Sequence, residues 1–218
     1  MKKYIVMLVV TVMSVVSVSA QKDTLSVNFS GDIGYYTKNL STFTGLMFGE
    51  NPSVVSHMNV CANYKNLNIS AAYSGQHSIN HLEDGDRFNM LDLSVGYKVN
   101  KEFGLCTGYE LTYSDNEIDD EFGHGIFAMA TWSKNKVLTN FIFFADPTFK
   151  STYYIASVDV KVSKNVSVYS LGEYTNTKST RWYGLGGLKY SKGNFFAGTY
   201  YMLDKDTPGP VVSIGMTF

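Results

Sequence analysis

The sequence predicts an all-β protein, a closed antiparallel transmembrane β-barrel of about twelve strands. Three observations support this fold class. Apolar and polar side chains alternate with period two along most of the chain. Short and long connections follow one another in strict alternation. Aromatic residues gather at both ends of the apolar face of the strands, as they do at the two surfaces of a membrane.

Residues 1–20 have the order of a secretory signal peptide. Met1-Lys2-Lys3 precede an apolar run from Tyr4 to Val16, and small residues follow up to Ala20. We expect cleavage after Ala20, which leaves residues 21–218 as one barrel domain of 198 residues (218 − 20). The apolar run is shorter than the roughly 20 residues that a membrane-spanning helix needs.

Composition narrows the function classes. Without Lys2 and Lys3 the chain has 16 basic residues (18 − 2) against 19 acidic ones. Its basic residues form no cluster of the kind that contacts the phosphate backbone of a nucleic acid. Nucleic acid is therefore excluded as a partner. With 16 Tyr, 14 Phe, 19 Gly and 4 Pro, the composition suits aromatic-bearing strands better than helices. Cys61 and Cys106 fall on strands two and five, too far apart for a disulfide.

The strand pattern is clearest between Leu91 and Val99. One face carries Leu91, Leu93, Val95, Tyr97 and Val99, and the other carries Asp92, Ser94, Gly96 and Lys98. Residues 67–73, 103–114 and 154–162 repeat the pattern, which weakens at 126–132 and 141–145, where both faces are apolar. Each such segment is predicted to be a strand whose two faces meet different surroundings.

Eleven connections separate twelve strands. The short ones are Lys65-Asn66, Asn100-Lys101-Glu102, Lys134-Asn135-Lys136, Ser163-Lys164-Asn165 and Lys192-Gly193. The longer ones are Thr37 to Pro52, Gly75 to Arg87, Asp115 to Phe122, Asp146 to Ser151, Asn176 to Thr180 and Asp204 to Gly209. Tight turns on one rim and longer loops on the other are typical of outer-membrane barrels, whose turns face the periplasm.

Aromatic residues on the apolar parity form two girdles. Beside the short turns lie Tyr64, Tyr97, Phe103, Trp132, Tyr190 and Phe195; near the longer loops lie Tyr35, Tyr73, Tyr113, Tyr154, Tyr174, Trp182 and Tyr201. Phe103 and Tyr113 are separated by roughly 25 Å of membrane height on a strand tilted by about 40°. A soluble sandwich is the alternative, but its interior would be apolar and its ends would need no girdles.

The last strand ends at Phe218 after an alternation of Val212, Ile214 and Met216. This pattern resembles the C-terminal signal that outer-membrane barrels present to their assembly machinery, which would recognise it by strand addition. We therefore expect the Gram-negative outer membrane as the location, with its lipid, lipopolysaccharide and the barrel assembly machinery as partners.

Charged residues on the opposite parity are predicted to face the lumen. The predicted lining residues are Asp32, His57, Asp92, Glu110, Asp159, Glu173 and Arg181. All but Asp159 and Arg181 fall about seven positions above the periplasmic end of their strands, and Lys98, Lys161 and Lys189 lie near that rim. The hypothesis is a narrow, weakly cation-preferring channel. The alternative is a plugged interior in which the carboxylates pair with Arg181, with Lys side chains or with Tyr hydroxyls.

No cofactor or catalytic set is predicted. Asp115, Glu117, Asp119 and Asp120 offer oxygen ligands for calcium or magnesium but lack EF-hand spacing, so an acidic surface loop is favoured. The histidines and serine of His77-Ser78 and His81 are interpreted as solvated loop residues.

One segment resembles a known family. Residues Leu91-Asp92-Leu93-Ser94-Val95-Gly96-Tyr97, after a first strand ending Gly34-Tyr35-Tyr36 and a loop ending Asn51-Pro52-Ser53, resemble the small porins of Gram-negative bacteria. Thr37-Lys38 and Met90 depart from that family's pattern. The resemblance implies a porin-like barrel. The leading functional hypothesis is passive passage of small hydrophilic solutes or ions through a narrow pore. The competing class is a closed structural or adhesive barrel whose outer loops bind a partner. The apolar stretch from Thr44 to Gly49 either extends strands one and two or folds inward as a constriction.

Overall fold

A computed structural model describes residues 25–37, 53–78, 87–115, 120–147, 150–176, 181–204 and 208–218. The predicted signal peptide, residues 1–20, and the apolar stretch 44–49 lie outside the described residues. Among the described residues, no helix has the length and apolar character needed to cross a membrane.

The described residues form twelve β-strands. These are β1 Ser26–Tyr36, β2 Ser53–Tyr64, β3 Leu67–Ser78, β4 Arg87–Lys98, β5 Phe103–Asp115, β6 Asp120–Lys134, β7 Val137–Asp146, β8 Ser151–Lys161, β9 Val166–Asn176, β10 Arg181–Lys192, β11 Phe195–Asp204 and β12 Gly209–Thr217. Each strand pairs antiparallel with its chain neighbours, and β1 pairs with β12, so the sheet closes into one barrel. The predicted fold class is confirmed.

The short turns fall where the sequence predicts them. Lys65, Asn135 and Gly193 have φ values of 53°, 55° and 58°, the left-handed backbone that two-residue hairpin turns require. In the turn before β5, Asn100 Oδ1 accepts hydrogen bonds from the backbone N–H groups of Glu102 at 2.8 Å and Phe103 at 2.9 Å. Side-chain oxygen thus closes the turns that are longer than two residues.

Two of the longer connections are shorter than predicted. β3 continues to Ser78 and β6 begins at Asp120, so the loops predicted from Gly75 to Arg87 and from Asp115 to Phe122 are partly strand. His77 therefore belongs to β3. Both extensions lie beyond the apolar band, where hairpin strands keep their hydrogen bonds but no longer need alternating apolar side chains.

The outer surface is apolar around the whole barrel. Large exposed apolar side chains occur on every strand, among them Phe29, Ile69, Val95, Ile126 and Trp182. All the predicted girdle aromatics except Phe103 and Tyr113 belong to this exposed set. A closed barrel with this surface is stable only in lipid, because a soluble protein does not expose a continuous apolar belt. The predicted location in the outer membrane is confirmed.

The seam between β1 and β12 is short. Asp32–Tyr36 pair with Ser213–Thr217. Phe218 extends the seam by one residue, because its N–H and C=O exchange hydrogen bonds of 2.9 and 3.0 Å with Gly31. Residues Ser26–Ser30 pair with β2 but lie beyond the end of β12. β1 therefore overhangs the seam at the periplasmic end.

Candidate permeation site in the barrel lumen

The lumen differs between its outer and periplasmic halves. Inward positions of the outer half, such as Ser53, Met90, Phe144, Met202 and Val211, are almost fully buried. Inward positions of the periplasmic half, such as those of β2 from His57 to Asn63, are only partly buried. Space inside the barrel is therefore concentrated on the periplasmic side.

That space is a cavity of approximately 580 Å³ on the side of β2–β6, which we call the vestibule. Its inward polar lining is His57, Asn59, Asn63, Asn68, Ser70, Ser74, Asp92, Ser94, Lys98 and Thr131. Hydrogen bonds between neighbouring strands hold this wall: Asn68 Nδ2 donates to Asn63 Oδ1 at 2.9 Å, and the hydroxyls of Ser70 and Ser94 lie 2.6 Å apart. Short amide and hydroxyl side chains keep the vestibule open and wettable.

The opposite wall is apolar. Ile142, Ile155, Leu171, Leu185, Met202 and Val211, with Tyr36 and Val55, form one buried cluster that spans β7–β12 and continues onto β1 and β2. Period two is preserved on these strands, but both faces carry apolar side chains. The lumen is therefore lined by a polar wall and an apolar wall rather than by a uniform ring.

The register groups the predicted lining residues into facing pairs. Asp32 lies opposite His57 on β1 and β2, where both are partly exposed. Asp92 lies opposite Glu110 on β4 and β5, with exposed fractions of 5% and 1%. Glu173, 4% exposed, lies apart from them on β9.

The buried carboxylates differ in their partners. Tyr183 Oη donates to one oxygen of Glu173 at 2.6 Å, and Thr175 Oγ1 donates to the other at 2.9 Å. Asp92 and Glu110 have each other as side-chain hydrogen-bond partner across the β4–β5 pair. Within the described ranges, neither Asp92 nor Glu110 forms an ion pair with a basic side chain. A plug held by ion pairs gains no support at these two residues, whereas the bond from Tyr183 to Glu173 is a tyrosine pairing of the kind that the plugged alternative predicts.

The remaining predicted residues lie near the two rims. Asp159 is partly buried, with Ser167 Oγ 3.4 Å from its Oδ2. At the periplasmic rim Lys98 and Lys161 are exposed, while Lys189 Nζ lies 5.4 Å from the centre of the Phe196 ring. Arg181 begins β10 opposite Thr175, and its side chain is not among the parts that the structure describes.

The sequence analysis missed one buried carboxylate, Asp146. It was predicted to begin a loop, yet it is the last residue of β7, faces inward and is 1% exposed. Its parity matches that of Ile142 and Phe144, which also face inward. Because β7 is apolar on both faces, alternation along this strand did not indicate which face is the inner one. The inward residues of the neighbouring strands would have indicated it.

The predictions for the acidic loop and for the two cysteines concern residues other than the charged lining residues. Glu117 and Asp119 lie outside the described residues, and Asp115 and Asp120 are described only as paired ends of β5 and β6. No three carboxylate, histidine or cysteine groups in the described part of the chain are placed to hold a metal ion. Cys61 and Cys106 are both free and partly buried.

Sequence comparison finds no match to a family model or to a curated protein. Comparison of structures finds many similar barrels. The KdgM porin aligns with a TM-score of 0.60 and 11% identity over 87% of this chain and 99% of that one. The NanC porin gives 0.56 and 10% over 88% and 99%, and the outer membrane phospholipase A from Escherichia coli gives 0.60 and 12% over 89% and 98%. At such identities the likeness concerns the fold alone, and this chain has the fold of outer-membrane porins, which an outer-membrane phospholipase shares.

Proposed function

We propose that this protein is a passive channel that lets small hydrophilic solutes or ions cross the outer membrane, with a weak preference for cations. The observation that carries the proposal is the vestibule, an open cavity of approximately 580 Å³ whose inward lining carries mainly amide, hydroxyl and charged side chains and extends to Lys98 at the periplasmic rim. Its amide and hydroxyl groups replace part of the hydration shell of a passing solute.

The cation preference follows from the charges at the inner end of the vestibule. Asp92 lines the vestibule, and Glu110 is its cross-strand partner. Because two adjacent buried carboxyl groups share one proton, the pair carries about one negative charge. That charge, in a low-dielectric surrounding, repels anions more strongly than it would in water. The basic residues Lys98 and Lys161 are solvated at the rim, where their field is screened.

Planar-bilayer recording tests the function. We expect refolded protein to give discrete conductance steps and a reversal potential displaced towards cation permeation in a potassium chloride gradient. The double variant Glu110→Gln with Glu173→Gln is expected to shift that potential towards zero. Absence of any discrete conductance from folded protein would contradict the channel.

A closed structural or adhesive barrel is the second candidate, and the buried outer half of the lumen favours it. The two functions respond differently to removal of residues 79–86 and 116–119 from the outer loops. If the protein is a channel, the variant without these segments keeps its conductance. If it is an adhesive barrel, the variant loses binding to the surface partner, and neither the variant nor the unmodified protein conducts.

Hydrolytic chemistry is not proposed. His57 Nδ1 lies 2.8 Å from Ser74 Oγ, the one close histidine–serine contact in the vestibule wall. Similar side-chain contacts join Ser70 to Ser94 and Asn68 to Asn63, so the pair fits the network that holds adjacent strands together. Covalent labelling of Ser74 by a fluorophosphonate would contradict this interpretation.

A further inference from the structure

The vestibule carries opposite charges at its two ends, on one strand. Asp92 lies at its inner end, and Lys98 lies at the periplasmic rim, six residues (98 − 92) further along the same inward face of β4. Glu110, opposite Asp92 on β5, shares the negative charge of the inner end. Lys98 is exposed and forms no ion pair within the described part of the chain. A ligand that lies along β4 therefore meets a negative group at one end and a positive group at the other.

The wall between these charges carries neutral hydrogen-bonding groups. Asn63 and Asn68 face each other on β2 and β3, and Asn68 Nδ2 donates to Asn63 Oδ1 at 2.9 Å. Further in, the hydroxyl groups of Ser70 and Ser94 lie 2.6 Å apart on β3 and β4. Amide and hydroxyl side chains both donate and accept hydrogen bonds, which is what the main chain of a peptide requires of its partners.

Gly104 keeps the mouth of the vestibule open. It lies opposite Lys98 on β5, and a Cβ atom added there would meet only Tyr97 O within 4 Å, at the ordinary contact distance of 3.7 Å. Further in on β5 the space is filled, because a Cβ atom at Gly108 would lie 2.5 Å from Phe127 Cζ. The free path from the mouth therefore runs beside β3 and β4, the strands that carry the hydroxyl pair and the two charges.

The separation of the charges sets the length of a matching ligand. Six residues of a strand span about 20 Å. The long, flexible side chain of Lys98 covers part of that distance when it turns towards the cavity. An extended peptide spans at most about 3.3–3.6 Å per residue, so about four residues bridge the remainder. A dipeptide is too short to reach both charges.

We propose that the vestibule binds short zwitterionic peptides of about four residues, with the terminal ammonium group at Asp92 and the terminal carboxylate at Lys98. A polycation is repelled by Lys98 at the mouth, and a polyanion is repelled by Asp92 at the inner end, so a ligand with one charge of each sign suits the site best. The inference goes beyond the proposed channel function, because it needs only the opening at the periplasmic rim and holds whether or not the outer half conducts.

Calorimetric titration of the refolded barrel in detergent with tetraalanine tests the site. We expect saturable binding of tetraalanine. N-acetyl-tetraalanine lacks the ammonium group, tetraalanine amide lacks the carboxylate, and dialanine is too short. Each of these three peptides is expected to bind severalfold more weakly than tetraalanine.

Charge variants assign each end of the peptide to its partner. Lys98→Gln is expected to weaken tetraalanine severalfold and to leave the affinity for tetraalanine amide nearly unchanged. The double variant Asp92→Asn with Glu110→Gln removes the charge of the carboxyl pair, and it is expected to weaken tetraalanine but not N-acetyl-tetraalanine. Glu102→Gln, on the exposed periplasmic turn, is the control expected to bind all four peptides as the unmodified barrel does.

A steric variant tests the path from the mouth. Gly104→Leu fills the open space opposite Lys98 and is expected to abolish binding. Gly172→Leu is the matched control, because Gly172 lies on the exposed outward face of β9 and a Cβ atom there would meet no atom within 4 Å. Circular dichroism of both variants checks that the barrel is folded.

Several results would overturn the site. These are an absence of tetraalanine binding to the folded, unmodified barrel, equal affinities for the free, acetylated and amidated peptides, and tighter binding of spermidine or maltose than of tetraalanine. Failure of the channel is distinguishable from failure of the site. Peptide binding by a barrel that does not conduct supports the site and rejects the channel, whereas conductance without peptide binding rejects the site alone.

Discussion

Glu173 and Glu110 carry the same carboxylate at similar burial, yet their surroundings give them different roles. Glu173 accepts hydrogen bonds from Tyr183 and Thr175, which fix its position on the apolar side of the lumen. Glu110 has the carboxyl group of Asp92 as its partner across the β4–β5 pair instead of hydroxyl donors. Parity in the sequence placed both residues on the inner face. It could not supply their partners, because Tyr183 is a neighbour only through the pairing of β9 with β10.

Tyr183→Phe tests the role of this bond. The change removes a donor from a buried carboxylate, so we expect the free energy of unfolding to fall by about 1–3 kcal/mol. Urea unfolding of the barrel in lipid vesicles measures the difference. Tyr190→Phe, which alters an exposed girdle residue, is the matched control. Equal stability of the two variants would show that the bond to Glu173 does not contribute.

At the scale of the strand, the clearest predictions concern turns. The five short turns were predicted because hairpin geometry demands particular residues, as the left-handed Lys65, Asn135 and Gly193 show. The outer ends of β3 and β6 were not predicted. These ends extend beyond the lipid, where apolar alternation no longer distinguishes a strand from a loop. Asp146 was misplaced for the related reason that β7 is apolar on both faces.

The role of Phe218 in closing the seam between β1 and β12 can be tested by deletion. Deleting Phe218 removes two hydrogen bonds to Gly31 and a ring that lies 6.2 Å from the ring of Phe29. We expect a loss of about 1–3 kcal/mol from the hydrogen bonds together, seen as a lower urea midpoint after refolding into vesicles. Phe218→Ala keeps the backbone bonds and should lose less. Identical midpoints for the deletion and the unmodified barrel would contradict a closing role for Phe218.

At the scale of the molecule, the barrel is asymmetric in two directions. Around its axis a polar wall on β2–β6 faces an apolar wall on β7–β12. Along its axis a periplasmic rim with exposed Lys98 and Lys161 precedes buried carboxylates. The sequence predicted the strand number and both charge groups. It did not predict that Asp92 and Glu110 face each other on β4 and β5, because strand tilt and register decide which residues become neighbours, and counts along single strands omit both.

Asymmetry along the axis predicts rectification. Potassium entering from the outer rim meets carboxylates first, whereas potassium entering from the periplasm first passes the lysines. We expect a larger current for cations moving inward than outward at equal voltage and low salt. The double variant Lys98→Gln with Lys161→Gln should reduce this asymmetry, and added salt should reduce it further. A linear current–voltage curve at low salt would contradict the prediction.

The pairing of the two chain ends has a consequence for the kinetics of folding. Thr37 and Val212, which are hydrogen-bonded across the seam, are separated by 175 residues in the chain. Every other strand pair joins neighbours in sequence, so these local hairpins can form before the ends meet. We therefore expect closure to be the final and slowest step of folding, and the seam to be the first place to open on unfolding. Until closure, the edge of β1 that pairs with β12 stays accessible.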